Sequence, residues 1–99
     1  MQQLRIYTIN RGKMAEFVRL WRQGIAPIRE KIGFRIVGAW VIKETNQFAW
    51  LLNYDGPEEW AVKDREYFDS PERRELKPDP AQWIARTEQY FVDPVKTGS

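Results

Sequence analysis

Apolar and polar residues alternate with a period of two near the start of the chain and change to a helical period after a break. The segment from Leu4 to Asn10 alternates and is rich in residues that favour strands, so it predicts a β-strand. Beyond Gly12 the apolar residues recur at steps of three and four, which indicates an amphipathic helix: Met14, Phe17, Val18, Trp21, Ile25, Ile28 and Ile32. Pro27 lies inside this pattern and predicts a kink or restart, because proline removes a backbone hydrogen bond. Gly33 is typical of a left-handed helix end.

The middle of the chain predicts a β-hairpin followed by a second helix. The segments 34–42 and 47–54 are rich in strand-forming residues, and Glu44-Thr45-Asn46 between them favours a turn. The second helix is expected to begin within Asp55-Gly56-Pro57-Glu58 and to run to about Phe68. Proline and acidic residues both suit the first turn of a helix.

The last third of the chain completes the predicted fold. Ser70-Pro71-Glu72 indicates a short further helix, the segment 78–80 a loop, and the segment 85–92 a closing strand. The order is therefore βαββαβ with a small insertion. Right-handed crossovers then predict an α+β, ferredoxin-like sheet with both helices on one face.

The predicted sheet is apolar on both faces. A sheet that helices cover on one side normally has a polar second face. In the second strand, one face is expected to carry Phe34, Ile36 and Trp40, and the other Val37, Ala39 and Val41. In the third strand, one face is expected to carry Phe48, Trp50, Leu52 and Tyr54, and the other Ala49, Leu51 and Asn53. The chain has no further element to cover the second face. A second copy of the same sheet would cover it, so we predict a homodimer that forms through this sheet face.

Length and composition limit the classes of protein to consider. Ninety-nine residues make one domain, expected over 1–95 with a disordered tail at 96–99. The chain has no cysteine and no histidine, which excludes disulfides, zinc fingers, histidine-ligated haem and Ser-His or Cys-His catalysis. The net charge of +2 is not clustered, so no nucleic-acid partner is expected. Without a membrane segment, a signal sequence or a cofactor motif, we expect a cytoplasmic protein with no membrane partner, metal or cofactor.

The aromatic content is high for a short chain, with five Trp, five Phe and four Tyr. Aromatic side chains with polar tips suit a pocket for a flat organic ligand. The pocket candidates from the residues themselves are Arg5, Tyr7, Trp21, Trp50, Leu52 and Tyr54. In the alternative interpretation these aromatic residues fill the core and Arg5 pairs with Glu88 or Asp55. The carboxylates near the second helix are expected to be surface or capping groups: Glu58, Glu59, Asp64, Glu66 and Asp69.

An ordered series of short segments resembles the NIPSNAP family over about residues 3–95. The segments are Leu4-Arg5-Ile6-Tyr7-Thr8, Gly12-Lys13 with Phe17 and Trp21, Gly38-Ala39-Trp40, Trp50-Leu51-Leu52-Asn53-Tyr54-Asp55, Tyr67, and Ser70-Pro71-Glu72-Arg73. The resemblance implies a dimeric α+β barrel of unsettled biochemical activity. Proteins that share that fold include cofactor-free monooxygenases, polyketide cyclases, haem-degrading enzymes and chlorite dismutases. Their sites lie between helices and sheet, and Arg73 stands where some of them carry histidine. The resemblance therefore implies Arg73 as a seventh pocket candidate.

Three functions are compatible with the sequence. The first is a homodimer that binds a small apolar or acidic organic molecule in a pocket between helices and sheet. The second is a cofactor-free monooxygenase- or cyclase-like enzyme for an aromatic or polyketide-like substrate, with Tyr7, Tyr54 and Arg5 or Arg73 as polar participants and no catalytic residue assigned. The third is an RNA-binding domain, because the RNA-recognition motif has the same element order and stacks bases on aromatic side chains of its first and third strands. Asn46 and Gln47 stand where that motif carries a basic residue and glycine.

Overall fold

The computed structural model describes residues 1–98 and places four strands in one antiparallel sheet. The strands are β1 (Gln2–Ile9), β2 (Arg35–Ile42), β3 (Gln47–Asn53) and β4 (Ile84–Val92). Their order across the sheet is β2-β3-β1-β4, and each neighbouring pair is antiparallel. This confirms the predicted ferredoxin-like, α+β topology, and it places β1 and β3 at the centre.

The helices pack on one face of this sheet. They are α1 (Met14–Leu20), α2 (Ala26–Ile32), α3 (Trp60–Asp69) and α4 (Pro71–Arg74), with 3-10 turns at Lys43–Thr45 and Pro80–Trp83. The core between helices and sheet is strongly aromatic. It includes Phe17 and Trp21 from the first helical segment and Phe48 and Trp50 from β3. Within residues 1–98, every helix is too short or too polar to traverse a bilayer.

The first helical segment restarts where the sequence predicts it. A π-helical turn, Trp21–Ile25, separates α1 from α2, and Pro27 lies in the first turn of α2. A Cβ atom on Gly24 would lie 2.6 Å from Cδ2 of Leu76, so the absence of a side chain at Gly24 lets Leu76 pack against this turn. Gly33 ends α2 in the left-handed region, at φ +119°, as expected.

The predicted start of the second helix is wrong. α3 begins at Trp60 rather than within 55–58, with Glu59 extended just before it. The Tyr54 hydroxyl donates a hydrogen bond to Glu58, and Gly56 lies so close to that hydroxyl that it has no room for a Cβ. The segment therefore folds around the Tyr54 side chain, and the helix begins only after it.

The expected placement of Ile36 and Trp40 on one face of β2 is also wrong. The register shifts between Ile36 and Gly38, so that Ile36 lies opposite Leu52 while Trp40 lies opposite Ala49. Leu52 and Ala49 are three residues apart on β3 and point to opposite faces. A β-bulge at Val37 therefore turns Trp40 to the face without helices.

The two faces of the sheet differ in what covers them. We call the helix-packed face the covered face; on β1 it carries Gln3, Arg5, Tyr7 and Ile9, all buried. We call the other the open face; its apolar side chains are Leu4, Ile6, Trp40, Ala49, Leu51 and Tyr90. Trp40 is 53% and Tyr90 49% exposed. The predicted tail at 96–99 extends to Ser99, which lies outside the described residues.

Candidate functional site

A cavity of about 160 Å³ lies between the covered face and the helices. The sheet contributes Arg5, Tyr7, Trp50, Ile84, Thr87 and Gln89 to its wall. The helices and the segment after them contribute Ile25, Arg29, Tyr67, Phe68, Arg73, Pro80 and Ala81. Three arginines therefore line one small space, together with aromatic and aliphatic side chains.

Arg5 projects from the central strand β1 and is only 2% exposed. Its Nη2 donates to Oδ1 of Asp64 at 2.9 Å, and its Nε donates to Oε1 of Gln3 at 2.7 Å. Its Nη1 donates to the Tyr7 hydroxyl at 3.5 Å. The period-two alternation of β1 places Gln3, Arg5 and Tyr7 on one face, so the strand itself builds this part of the site.

Arg29 projects from α2 and is only 1% exposed. Its Nη1 donates to Oδ1 of Asp64 at 2.7 Å, and its guanidinium lies 3.7 Å from the centroid of the Tyr67 ring. Burial lowers the pKa of the Arg29 guanidinium from its ordinary value, and the positive charge of Arg5 lowers this pKa further. The Nε atom of Arg29 is buried and has no hydrogen-bond partner.

Asp64, on α3, is the carboxylate that both buried arginines share. The two guanidinium groups donate to the same oxygen, Oδ1. Two buried positive charges thus face one negative charge, whose side chain is 26% exposed. Charge imbalance among buried groups is costly. This cluster of Arg5, Arg29 and Asp64 has a net charge of +1.

Arg73 lies on α4, which Ser70 caps by accepting a hydrogen bond from the Arg73 backbone N–H at 3.2 Å. The Arg73 side chain is 13% exposed, and its Nη2 donates to Oδ1 of Asp79 at 3.1 Å. Asp79 is 62% exposed, so water screens its charge. The Nε atom of Arg73 is buried and has no hydrogen-bond partner.

Tyr67 lies between these arginines and remains a neutral hydroxyl. Burial raises the pKa of Tyr67 above its ordinary value, and it outweighs the opposite effect of Arg29 and Arg73. A tyrosine of raised pKa is a poor base at neutral pH. The site can therefore donate hydrogen bonds and neutralise negative charge, which is the chemistry that an anion requires.

Within residues 1–98, no group of three or more acidic side chains could hold a metal ion.

Comparison with known proteins assigns the chain to a family. The NIPSNAP family model matches residues 2–98. The chain belongs to the NIPSNAP family. A solved uncharacterized NIPSNAP domain protein from Burkholderia xenovorans is 20% identical, with a TM-score of 0.82 and coverage of 99% of this chain and 97% of that chain. A solved NIPSNAP family protein from Agrobacterium tumefaciens str. C58 is 22% identical, with a TM-score of 0.84 and coverage of 95% and 91%.

More distant structures share the fold of this NIPSNAP chain. A putative antibiotic biosynthesis monooxygenase from Bacteriodes thetaiotaomicron VPI-5482 is 16% identical, with a TM-score of 0.73 and coverage of 100% of this chain and 92% of that chain. No curated protein matches the chain in sequence. The structural neighbours establish the architecture, and the chemistry of the cavity has to be argued from its own residues.

Four of the seven sequence-predicted pocket residues line the cavity, and three lie elsewhere. Arg5, Tyr7, Trp50 and Arg73 line it. The other three are packed in the core. The Trp21 ring lies 5.1 Å from that of Phe48 and 5.5 Å from that of Trp50. Leu52 is fully buried, and Tyr54 packs on Phe34 and donates a hydrogen bond to Glu58.

The prediction that Glu88 or Asp55 pairs with Arg5 is wrong, since Asp64 from α3 is the partner of Arg5. Glu88 lies opposite Ile6, on the open face, where it cannot reach Arg5.

Arg29 and Asp64 are the site residues that the sequence reasoning missed. Asp64 was expected among the surface or capping carboxylates, yet it binds two buried arginines. A signal existed for both residues. Each of these charged residues interrupts the apolar stripe of its helix. Arg29 lies four residues after Ile25 and three before Ile32. Asp64 lies four residues after Trp60 and three before Tyr67.

The aromatic residues of the RNA-binding alternative face the helices. Tyr7 is 6% exposed, Phe48 2% and Trp50 0%, and all three lie on the covered face. A base that stacks on a sheet needs aromatic rings on the accessible face. These three side chains are therefore not available to stack on RNA.

Proposed function

We propose that this NIPSNAP chain binds a small acidic organic molecule in the cavity between its helices and the covered face. The observation that carries the proposal is the convergence of Arg5, Arg29 and Arg73 on one cavity. Among the described residues, no acidic side chain lines that cavity, and the buried pair Arg5 and Arg29 shares the single carboxylate of Asp64. Arginine stays protonated and matches the planar geometry of carboxylates and related anions. An anion in the cavity would compensate the remaining positive charge.

The other walls of the cavity indicate the character of the ligand's body. Trp50, Phe68 and Ile84 offer apolar surface, and the volume of about 160 Å³ is below the roughly 300–1,000 Å³ of cavities that hold drug-sized ligands. A compact molecule with an apolar body and an acidic group fits both features.

A ligand-observed NMR screen of small organic acids, each paired with its neutral amide or alcohol, tests this proposal. We expect the acids to bind and their neutral partners to bind much more weakly. Binding should be lost in Arg73→Gln and kept in Arg22→Gln, which changes an exposed arginine outside the cavity. Equal binding of acids and neutral partners, or no binding of any acid, would contradict the proposal.

We also propose that the protein acts as a homodimer joined through the open face. Support comes from the apolar side chains on that face and from the opposite charges of Arg86 and Glu88 on its β4 edge, which suit a surface that pairs with itself. Two such faces pack about 10 Å apart in layered β structures. Sedimentation equilibrium should give twice the mass of one chain, and a concentration-independent monomer at micromolar protein would contradict the dimer.

A cofactor-free enzyme is the second candidate, and the same cavity favours it. Arginines and the Tyr7 hydroxyl around one small space could stabilise an enolate or phenolate intermediate as well as a bound acid. Tyr54 is not a candidate for this role, because it does not line the cavity. Turnover of an aromatic or polyketide-like substrate in buffer without added cofactor would favour the enzyme. Binding without turnover would favour the binding protein.

A further inference from the structure

We infer that the ligand of the cavity is a small aromatic monocarboxylate, held with its carboxylate between Arg29 and Arg73. The inference rests on the proposed function and names its ligand class. Three features of the site lead to it: the balance of buried charge, the unpaired donors of the two arginines, and the aromatic walls.

The charge balance calls for one negative charge. Arg5 and Arg29 are 2% and 1% exposed and share Asp64, so this buried cluster has one positive charge in excess. Arg73 is only 13% exposed, but it is already paired with the carboxylate of Asp79 at 3.1 Å. A monoanion therefore neutralises the buried cluster. A dianion would bring a second charge into a region that offers no second uncompensated cation, and its desolvation would be unfavourable.

Two of the arginines that line the cavity have an unpaired donor. The Nε atoms of Arg29 and Arg73 are both buried without a hydrogen-bond partner, and a buried donor without a partner is costly. The two guanidinium groups lie near the same rings, at 3.7 and 5.9 Å from the centroid of Tyr67 and at 5.4 and 5.8 Å from that of Phe68. A carboxylate has two acceptor oxygens, one for each of these donors.

The remaining walls favour a single aromatic ring. Trp50 and Tyr7 line the sheet side of the cavity and Phe68 the helix side, with Ile25 and Ile84 beside them. Aromatic side chains pack well against a flat ring, in stacked or edge-to-face geometry. The cavity volume of about 160 Å³ suits one ring with a carboxylate and is too small for a fused polycyclic molecule.

Isothermal titration calorimetry of the native protein with benzoate tests the inference. The matched probes are benzamide, which is neutral, phthalate, which carries two charges, and cyclohexanecarboxylate, which lacks the aromatic ring. We expect benzoate to bind at least about tenfold more tightly than each of the three, because charge-assisted hydrogen bonds and ring packing both contribute. Arg73→Gln should weaken benzoate binding by about tenfold or more, whereas Arg22→Gln should leave it unchanged.

Asp79→Asn gives a second, independent variant if Arg73→Gln does not fold. It removes the negative charge that faces Arg73 and keeps an acceptor oxygen for the Ala81 N–H, which Asp79 caps, so benzoate binding should be kept or strengthened. Loss of binding in Asp79→Asn would contradict the assigned role of Arg73. If phthalate or cyclohexanecarboxylate binds as tightly as benzoate and still requires Arg73, the inference is wrong and the proposed function stands. If none of the three acids binds, the inference is wrong, and the outcome of the screen of small organic acids decides the proposed function.

Discussion

The covered face of the sheet carries buried charges, whereas the open face carries exposed apolar side chains. On the covered face Arg5 is 2% exposed, and Arg29 from the packed helix is 1% exposed. On the open face Trp40 is 53% exposed beside Leu51 and Ala49. At these three positions burial and polarity are opposite to the usual arrangement, in which apolar residues are buried and charges are solvated.

This difference supports the proposals that the two faces have separate tasks. The two buried arginines share one carboxylate, so one positive charge is left uncompensated, which supports the binding of an anion. The exposed apolar side chains of the open face support the proposal that another layer packs on this face, and a second copy of the chain would supply it. Under the two proposals the sheet separates a binding side from an assembly side, and each of the following changes tests one side against the other.

The largest effect is expected for Asp64→Ala on the covered face. The substitution leaves Arg5 and Arg29 as two buried positive charges without a counter-charge, so it should lower the free energy of unfolding by about 3 kcal/mol or more. Urea unfolding at fixed protein concentration measures the loss. Asp69→Ala is the matched control, because Asp69 is 62% exposed and its contact to Arg74 is 3.8 Å long; it should leave the unfolding midpoint unchanged. An equal effect of both variants would refute the structural role of Asp64.

A smaller effect is expected for Leu51→Arg on the open face. Leu51 lies between Leu4 and Gly38, at the centre of that face, so each chain would place a charge in the proposed dimer interface. We expect the dimer dissociation constant to rise by about 100-fold, or about 2.7 kcal/mol, with an unchanged monomer fold by circular dichroism. Val62→Arg changes an exposed apolar residue of α3 and should leave dimerisation intact. Wild-type affinity in Leu51→Arg would show that this face is not the interface.

The strands and turns of this chain follow from its sequence because their signals are local. Alternation in β1, the turn before β3 and Gly33 at the end of α2 each depend on neighbours in the chain. The β-bulge at Val37 has no such signal. Segment 34–42 is apolar at nearly every position, so its pattern fits either phase of a strand, and only pairing with β3 determines which face Trp40 occupies.

The site is less predictable than the fold because its residues come from separate elements. Arg5 and Tyr7 alternate on β1, so the sequence places them together. Arg29 and Asp64 are 35 residues apart and meet only when α2 and α3 pack side by side. Charged residues within apolar helical stripes were the available signal, and the partners they choose depend on the tertiary fold.

A third change separates stability from binding on the covered face. A triple variant removes the charges of the whole cluster together and keeps the side-chain volumes similar. Its substitutions are Arg5→Met, Arg29→Met and Asp64→Leu. We expect the free energy of unfolding to rise by about 1 kcal/mol and the binding of small acids to be lost. Urea unfolding and calorimetry measure the two effects. A strongly destabilised triple variant would mean that the cluster serves mainly to hold the fold.

The smallest effect is expected for a surface ion pair. Lys31 and Glu72 are in contact at 2.7 Å, yet their side chains are 71% and 42% exposed. The Lys31 ammonium lowers the pKa of Glu72 by donating a hydrogen bond to it. Because water screens the pair, Glu72→Gln should leave both the unfolding midpoint and acid binding unchanged. A clear loss of stability in Glu72→Gln would mean that burial is not the property that distinguishes the Asp64 cluster from an exposed ion pair.

The most direct test of the two-face account is a titration of the native protein with benzoate, followed by the arginine Nε–H signals in a ¹⁵N NMR spectrum. Arg29 and Arg73 line the cavity, whereas Arg86 lies opposite Thr8 on the open face and serves as a control in the same spectrum. We predict saturable shifts of the Arg29 and Arg73 signals with the Arg86 signal unmoved. Unchanged Arg29 and Arg73 signals, or equal shifts of all three, would contradict the account.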